Sequence, residues 1–95
     1  MNNKQENMTR VVAYEILYLI YNGNGFFDNF FENFINKYKL NKLEKKYIYN
    51  LVLTSIRNHI KCQKIIKKFS KRKVKVKSKL LLIIAITQIL FFKTP

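Results

Sequence analysis

Residues 41–58 read NKLEKKYIYNLVLTSIRN, and this stretch decides the fold. Tyr47, Ile48, Leu51, Val52, Ser55 and Ile56 recur at intervals of three and four, the period of a helix with one face turned inward. Lys42, Lys45, Lys46 and Asn50 fall on the other face. At the start, Asn41 and Glu44 have the spacing of a capping box, in which each side chain accepts a hydrogen bond from the other residue's backbone N–H. An amphipathic helix from Asn41 to about Asn58 follows.

The flanking sequence continues in the same register of structure. Upstream, a helix is expected from about Thr9, as N-cap, to Tyr21, with Ala13, Ile16, Leu17 and Ile20 inward and Arg10 and Glu15 at polar positions. It stops at Asn22-Gly23-Asn24-Gly25, a strong turn signal. A second helix runs from about Phe26 to Lys39. Its stripe of Phe27, Phe30, Phe31, Phe34 and Tyr38 lies opposite Asp28, Asn29, Glu32, Asn33 and Lys37, and aromatic side chains at that spacing read as core. Downstream, a fourth helix from about Ile60 to Phe69 buries Cys62, Ile65, Ile66 and Phe69. Lys61, Lys64, Lys67, Lys68 and Lys71 sit on its other side. A basic connector, Ser70–Lys79, leads to a fifth helix ending near Phe92.

Two glycines and a single proline at the last position leave little to break these helices. A hydrophobic content of 48% is enough for a packed core. The expected architecture is all-α, an orthogonal bundle of five helices. It forms one small domain over residues 9–95, preceded by a disordered segment at residues 1–8. The apolar run Leu80–Phe92 reads as a core helix. Thirteen residues span about 20 Å, short of the roughly 30 Å of a hydrocarbon core, and Thr87 and Gln88 sit near its centre. No membrane span is expected. MNNKQENMTR lacks the basic-then-apolar order of a signal peptide. Cys62 is the single cysteine, which fits a reducing, cytoplasmic compartment.

The net charge is +14, and its segregation is more informative than its size. Residues 1–36 carry Lys4 and Arg10 against Glu6, Glu15, Asp28 and Glu32. Residues 37–95 carry seventeen Lys and Arg against Glu44 alone. An A/T-biased coding sequence accounts for Lys in place of Arg; it does not account for the scarcity of Glu. Lys61–Lys79, KCQKIIKKFSKRKVKVKSK, holds ten cations and no acid. Repulsion within such a run is relieved by a polyanion, nucleic acid first and an acidic membrane surface second.

Nothing in the chain assembles an enzyme. No Gly-rich phosphate loop is present, and His59 is the one histidine, so no nucleophile–base–orienter set can form. His59 and Cys62 lie three apart, but two ligands do not make a zinc site. No cofactor and no metal are expected.

Read in order, the segments resemble the NusB-like helical domain. TRVVAYEIL matches the opening R-x-x-A-x-x-[IL]-L through Arg10, Ala13, Ile16 and Leu17. Leu51, Val52, Ser55, Ile56, Arg57 and Asn58 follow L-V-x-G-[VI]-[LI]-R-N. LLIIAITQILFFKTP ends like I-L-R-L-G-x-Y-Q-L-x-F-x-x-x-P through Leu82, Ala85, Gln88, Phe92 and Pro95. The short Asn22–Gly25 turn and Gln at position 88 resemble most the version at the N-terminus of the ribosomal RNA cytosine-5 methyltransferase RsmB. The sequence departs from the pattern at Ser55 and Ala85, where the family has Gly, at Ile83, where it has Arg, and at Thr87, where it has an aromatic residue. The family's helical domain continues past the proline, and in the methyltransferase a catalytic domain follows; neither lies in this chain.

The resemblance implies an RNA-binding module serving ribosomal RNA modification or transcription antitermination, with Arg10 near the start of the first helix contributing to RNA contact. Charge adds Arg57, Lys61, Lys64, Lys67, Lys68, Lys71, Arg72 and Lys73. The rival expectations are a helical protein-interaction module or a degenerate fragment without RNA affinity, and a peripheral membrane protein using the basic fourth helix. For the interaction module, a protein partner or the missing domain would cover Leu80–Phe92.

Overall fold

The computed structural model describes residues 3–23, 27–70 and 72–92, with side chains placed for 8–23, 28, 29, 31–70 and 72–92. Five α-helices follow in chain order: α1 (Asn3–Tyr21), α2 (Phe27–Tyr38), α3 (Lys42–Arg57), α4 (His59–Phe69) and α5 (Val76–Thr87). A π-helical turn over Gln88–Phe92 continues α5. There is no strand among the described residues, so the all-α expectation holds.

The capping box that opens α3 is made as its spacing predicts. Glu44 N donates to Asn41 Oδ1 at 2.8 Å, and Asn41 N donates to Glu44 Oε1 at 2.9 Å. Such a cap contributes about 1 kcal/mol, and it occupies the one carboxylate of the basic half of the chain. A single residue, Asn58, separates α3 from α4, and its side-chain amide donates to Thr54 O at 2.9 Å.

The core draws on every helix. Val12, Ala13, Ile16 and Leu17 of α1, Ile48, Leu51 and Val52 of α3, and Leu80, Ile83 and Ile84 of α5 form its centre. Phe31 of α2 and Cys62 and Ile66 of α4 close its sides. The fifth helix is the common partner, packed by α1, α3 and α4. It runs opposite to α1, because Arg10 in the first half of α1 meets Gln88 just past the end of α5, and the end of α1 meets the start of α5. At the other end, Tyr18 and Asn22 share a cleft with Lys75 and Val76.

Where α5 meets α3, two of the four departures from the resembled pattern, Ser55 and Thr87, touch. The fully buried Ser55 donates its hydroxyl to Thr87 Oγ1 at 3.3 Å, and Thr87 donates in turn to Ile83 O at 2.7 Å. Both polar groups are thereby satisfied in an otherwise apolar seam. Ile83, in the place of the pattern's arginine, is fully buried. Ala85 is exposed, so no helix packs closely at the small residue there.

Four expectations are corrected. The first helix begins at Asn3, not at a cap on Thr9. Residues 3–8, expected to be disordered, are helical, and Thr9 is a fully buried position inside the helix. Phe69 is not core but 81% exposed, because α4 ends on it and the chain turns away. The run Leu80–Phe92 is only half a core helix. Leu80, Ile83, Ile84, Thr87 and Gln88 face inward, while Leu81, Leu82, Ile89, Leu90 and Phe91 are exposed. Phe27 and Phe30 of the aromatic stripe lie outside the described side chains.

Candidate functional site

Charged side chains that do not stabilise the fold are the natural place to look for a ligand surface. Three of the acids are already engaged or sit near cations. Glu15 accepts a 2.8 Å hydrogen bond from the Tyr38 hydroxyl, and this bond, with the burial and the neighbouring charge, raises the phenol's pKa above its ordinary value. Asp28 and Glu32 share a cleft with Lys42, Lys45 and Lys46. The lysines of α3 thus face local counter-charge across a groove. The cleft that holds Lys67, Arg72 and Lys73 has no carboxylate among the described residues that line it.

On α4, Cys62 and Ile66 point into the core, and Lys61, Lys64, Lys67 and Lys68 are all exposed on the remaining surface. Arg57, the last residue of α3, is exposed immediately before them, and Arg72 and Lys73 follow on the connector. Lys71 lies outside the described residues. Lys67, Arg72 and Lys73 line one cleft together with Lys79 of α5, and no carboxylate lines it. Lys61 lies farther along, with its Nζ 5.5 Å from the centroid of the Phe91 ring on the π-helical turn.

Arg10 is organised differently. Its Nε donates to Gln88 Oε1 at 3.0 Å, and Gln88 Nε2 donates to the Tyr47 hydroxyl at 2.9 Å. Tyr47 is fixed by an edge-on contact with Phe92, 5.4 Å between ring centroids. Gln88 is buried while Arg10 is exposed. The terminal nitrogens of the guanidinium have no hydrogen-bond partner among the described residues. A guanidinium held at Nε presents a pre-oriented fork, the geometry suited to a phosphate. The π-helical turn receives Arg10 through Gln88 and Lys61 through Phe91, so the first and fourth helices bring their cations to one structural element.

The fold and its opening and closing motifs match a known family, and a profile comparison decides it: the NusB family profile matches residues 7–95. This chain belongs to the NusB family. NusB domains are all-helical, RNA-binding and non-catalytic, and act in transcription antitermination. No curated protein and no solved structure matches the chain.

Against that family background, His59 and Cys62 find separate structural partners. His59 Nδ1 is 2.8 Å from the Tyr21 hydroxyl. Burial, and then the charge of Lys79, lower the His59 pKa. Burial, with Cys62 nearby, pushes the Tyr21 phenol up to about 12. The Cys62 thiol is fully buried, 4.0 Å from Thr87 Oγ1. Among the described residues, no group of three metal-ligating side chains converges, and no helix is long and apolar enough to cross a membrane.

Sequence reasoning identified the cations of α4 and Arg10 as candidate RNA contacts and missed three residues beside them. In the sequence Gln88 is a motif position and Tyr47 a core position, and neither carries a sign that it supports Arg10. Lys79 was read as part of the connector's run, although helix α5 begins at Val76 and carries it back towards α4.

Proposed function

We propose that this chain is an RNA-binding module that grips ribosomal RNA through backbone phosphates. Arg10, Arg57, Lys61, Lys64, Lys67, Lys68, Lys71, Arg72 and Lys73 are the contacting side chains. The observation that carries this reading is the acid-free cationic surface of α4 and the connector, on a chain of a family that binds RNA. Lysine dominates it, so contact with phosphates is expected to outweigh base readout. We further propose the RsmB-type role over that of free-standing NusB. The short Asn22–Gly25 turn and Gln at position 88 support it, and Gln88 joins Arg10 to Tyr47 by accepting from the first and donating to the second. Such a role places the protein in the cytoplasm.

Titration of a labelled single-stranded ribosomal RNA segment at several salt concentrations tests this. Each phosphate neutralised should add about 0.7 to the downward slope of log affinity against log salt. A flat response defeats the proposal. A second reading rests on the exposed Leu81, Leu82, Ile89, Leu90 and Phe91: a surface of this kind marks a protein-interaction face. Light scattering that gives a salt-independent dimer without RNA affinity would select it.

A further inference from the structure

Lys67, Arg72, Lys73 and Lys79 are drawn from three separate pieces of chain, the end of α4, the connector and the first turns of α5. They line one cavity of about 210 Å³ with the Gln63 amide, over a floor that includes Ile66 and Val74. We propose that this cavity is a seat for a single phosphodiester group of the bound RNA. The inference rests on the RNA-binding reading and goes beyond it, by separating a fixed site from the diffuse charge around it.

Size is the first reason. Pockets for organic ligands and cofactors run to about 300–1,000 Å³. This one is smaller, and of its six polar lining residues four are cations (Lys67, Arg72, Lys73 and Lys79) and none is an acid, so it suits a compact anion. The cleft that holds Asp28 and Glu32 with three lysines has its own counter-charge, and the cleft of Tyr14, Tyr18, Leu19 and Phe34 contains Glu15. In each, carboxylates offset part of the lysine charge, Glu15 standing against Lys37 and Lys77 in the second, so the excess of positive charge is smaller than in the cavity of Lys67 and Lys79.

Preorganisation is the second reason. Ser70 closes α4, its N–H donating to Ile66 O at 2.9 Å, and its hydroxyl donates to Arg72 O at 2.9 Å. The backbone from which the Arg72 guanidinium springs is therefore tied to the end of the helix. Lys79 N donates to Lys75 O at 2.8 Å, fixing the Lys79 backbone in the first turns of α5. Gln63 is half-buried, and its amide has no hydrogen-bond partner among the described residues. Arg72 supplies a planar fork, the lysines supply point charges, and Gln63 supplies a neutral donor, a set complementary to a tetrahedral oxyanion. Lys79 also lies close enough to His59 that its charge, after burial, lowers the imidazole's pKa.

Two triple variants of the full chain test the seat, because they remove the same charge from different places: K67Q/R72Q/K79Q inside the cavity and K61Q/K64Q/K68Q outside it. Affinity for a fluorescent single-stranded RNA is measured by anisotropy across a salt series, with circular dichroism confirming that both variants fold. Both should lower the salt slope by about 2. At equal salt the cavity triple should bind about tenfold more weakly than the outer triple, since it also loses directed hydrogen bonds to a charged group. In the wild type, RNA should shift the Gln63 side-chain amide and Arg72 Nε resonances saturably, and the outer triple should retain those shifts. Equal weakening by the two triples, or a Gln63 amide unmoved at RNA saturation, overturns the seat and leaves the RNA-binding reading intact. A wild type without RNA affinity at any salt overturns both. Capture by phosphatidylserine vesicles in place of RNA, lost in the cavity triple, overturns the assignment to RNA and gives the site to a lipid headgroup.

Discussion

Arg10 and the α4 lysines Lys61, Lys64, Lys67 and Lys68 reach the surface by opposite physical routes. Arg10 is one charge held by a chain of two hydrogen bonds, through Gln88 to Tyr47. The α4 lysines are many charges, exposed on long side chains with no acid nearby in sequence. A held guanidinium contributes direction, since its rotamer entropy is partly spent before a ligand arrives. A crowd of lysines contributes field strength, since released counterions drive the association. The difference predicts that affinity and salt dependence are separable properties of this protein.

The largest effect should come from the crowd. Changing Lys61, Lys64, Lys67 and Lys68 together to Gln is expected to cut the slope of log affinity against log salt by roughly 3, measured by RNA titration between low and moderate salt. Melting temperature should stay level or rise, because like charges on one short helix repel. Next, Arg10→Ala should weaken binding by about 1.5–3 kcal/mol, the worth of hydrogen bonds to a charged group, while the slope falls by only about 0.7. If its affinity loss merely matches that of a single α4 lysine, the distinction between the two regions disappears.

A smaller change isolates the support from the charge. Gln88→Leu leaves Arg10 in place but releases its Nε, so affinity should fall a few-fold, by about 0.5–1.5 kcal/mol, at an unchanged salt slope. Tyr47→Phe should act in the same direction and less. The smallest effect concerns His59. Lys79→Gln removes the repulsion that contributes to its lowered pKa, so the imidazole titration followed by NMR should move upward, burial keeping it from full recovery. The sign for stability follows from the lowered pKa: the unfolded chain binds the proton more readily. The His59 contribution is therefore complete above about pH 6.5 and is lost as pH falls through the lower folded value. Thermal melts across that range measure it.

Much of this was legible in residue order. The spacing of Tyr47, Ile48, Leu51, Val52 and Ser55 gave α3 its boundaries and face, and Asn41 with Glu44 gave its cap. Residue spacing reports what each helix is able to bury, and it was reliable where one face only was apolar. It failed on α5, where both faces are apolar and only the neighbours decide which is covered. It failed at Phe69 for a related reason, since periodicity does not say that a helix ends and its last aromatic has nothing above it. At the candidate site, the α4 cations were legible because charge is local. The support of Arg10 by Gln88 was not, because it joins residues 78 apart in the chain, and only the antiparallel course of α1 and α5 brings them together. Lys79 was hidden by the early start of α5, which no strong cap announces.

The hydroxyl pair Ser55–Thr87 sets an order on how this sequence can have changed. An aromatic ring at position 87 is expected to crowd the Ser55 hydroxyl, which lies 3.3 Å from Thr87 Oγ1, so a path towards the resembled pattern is expected to take glycine at 55 first. Run the other way, the ring must be lost before the serine is gained. Either single exchange is harmless only against the right background. Position 55 is thus a latch on substitution at position 87, and chimaeras spliced between α3 and α5 of different relatives should fail or succeed according to whether they carry the two residues together.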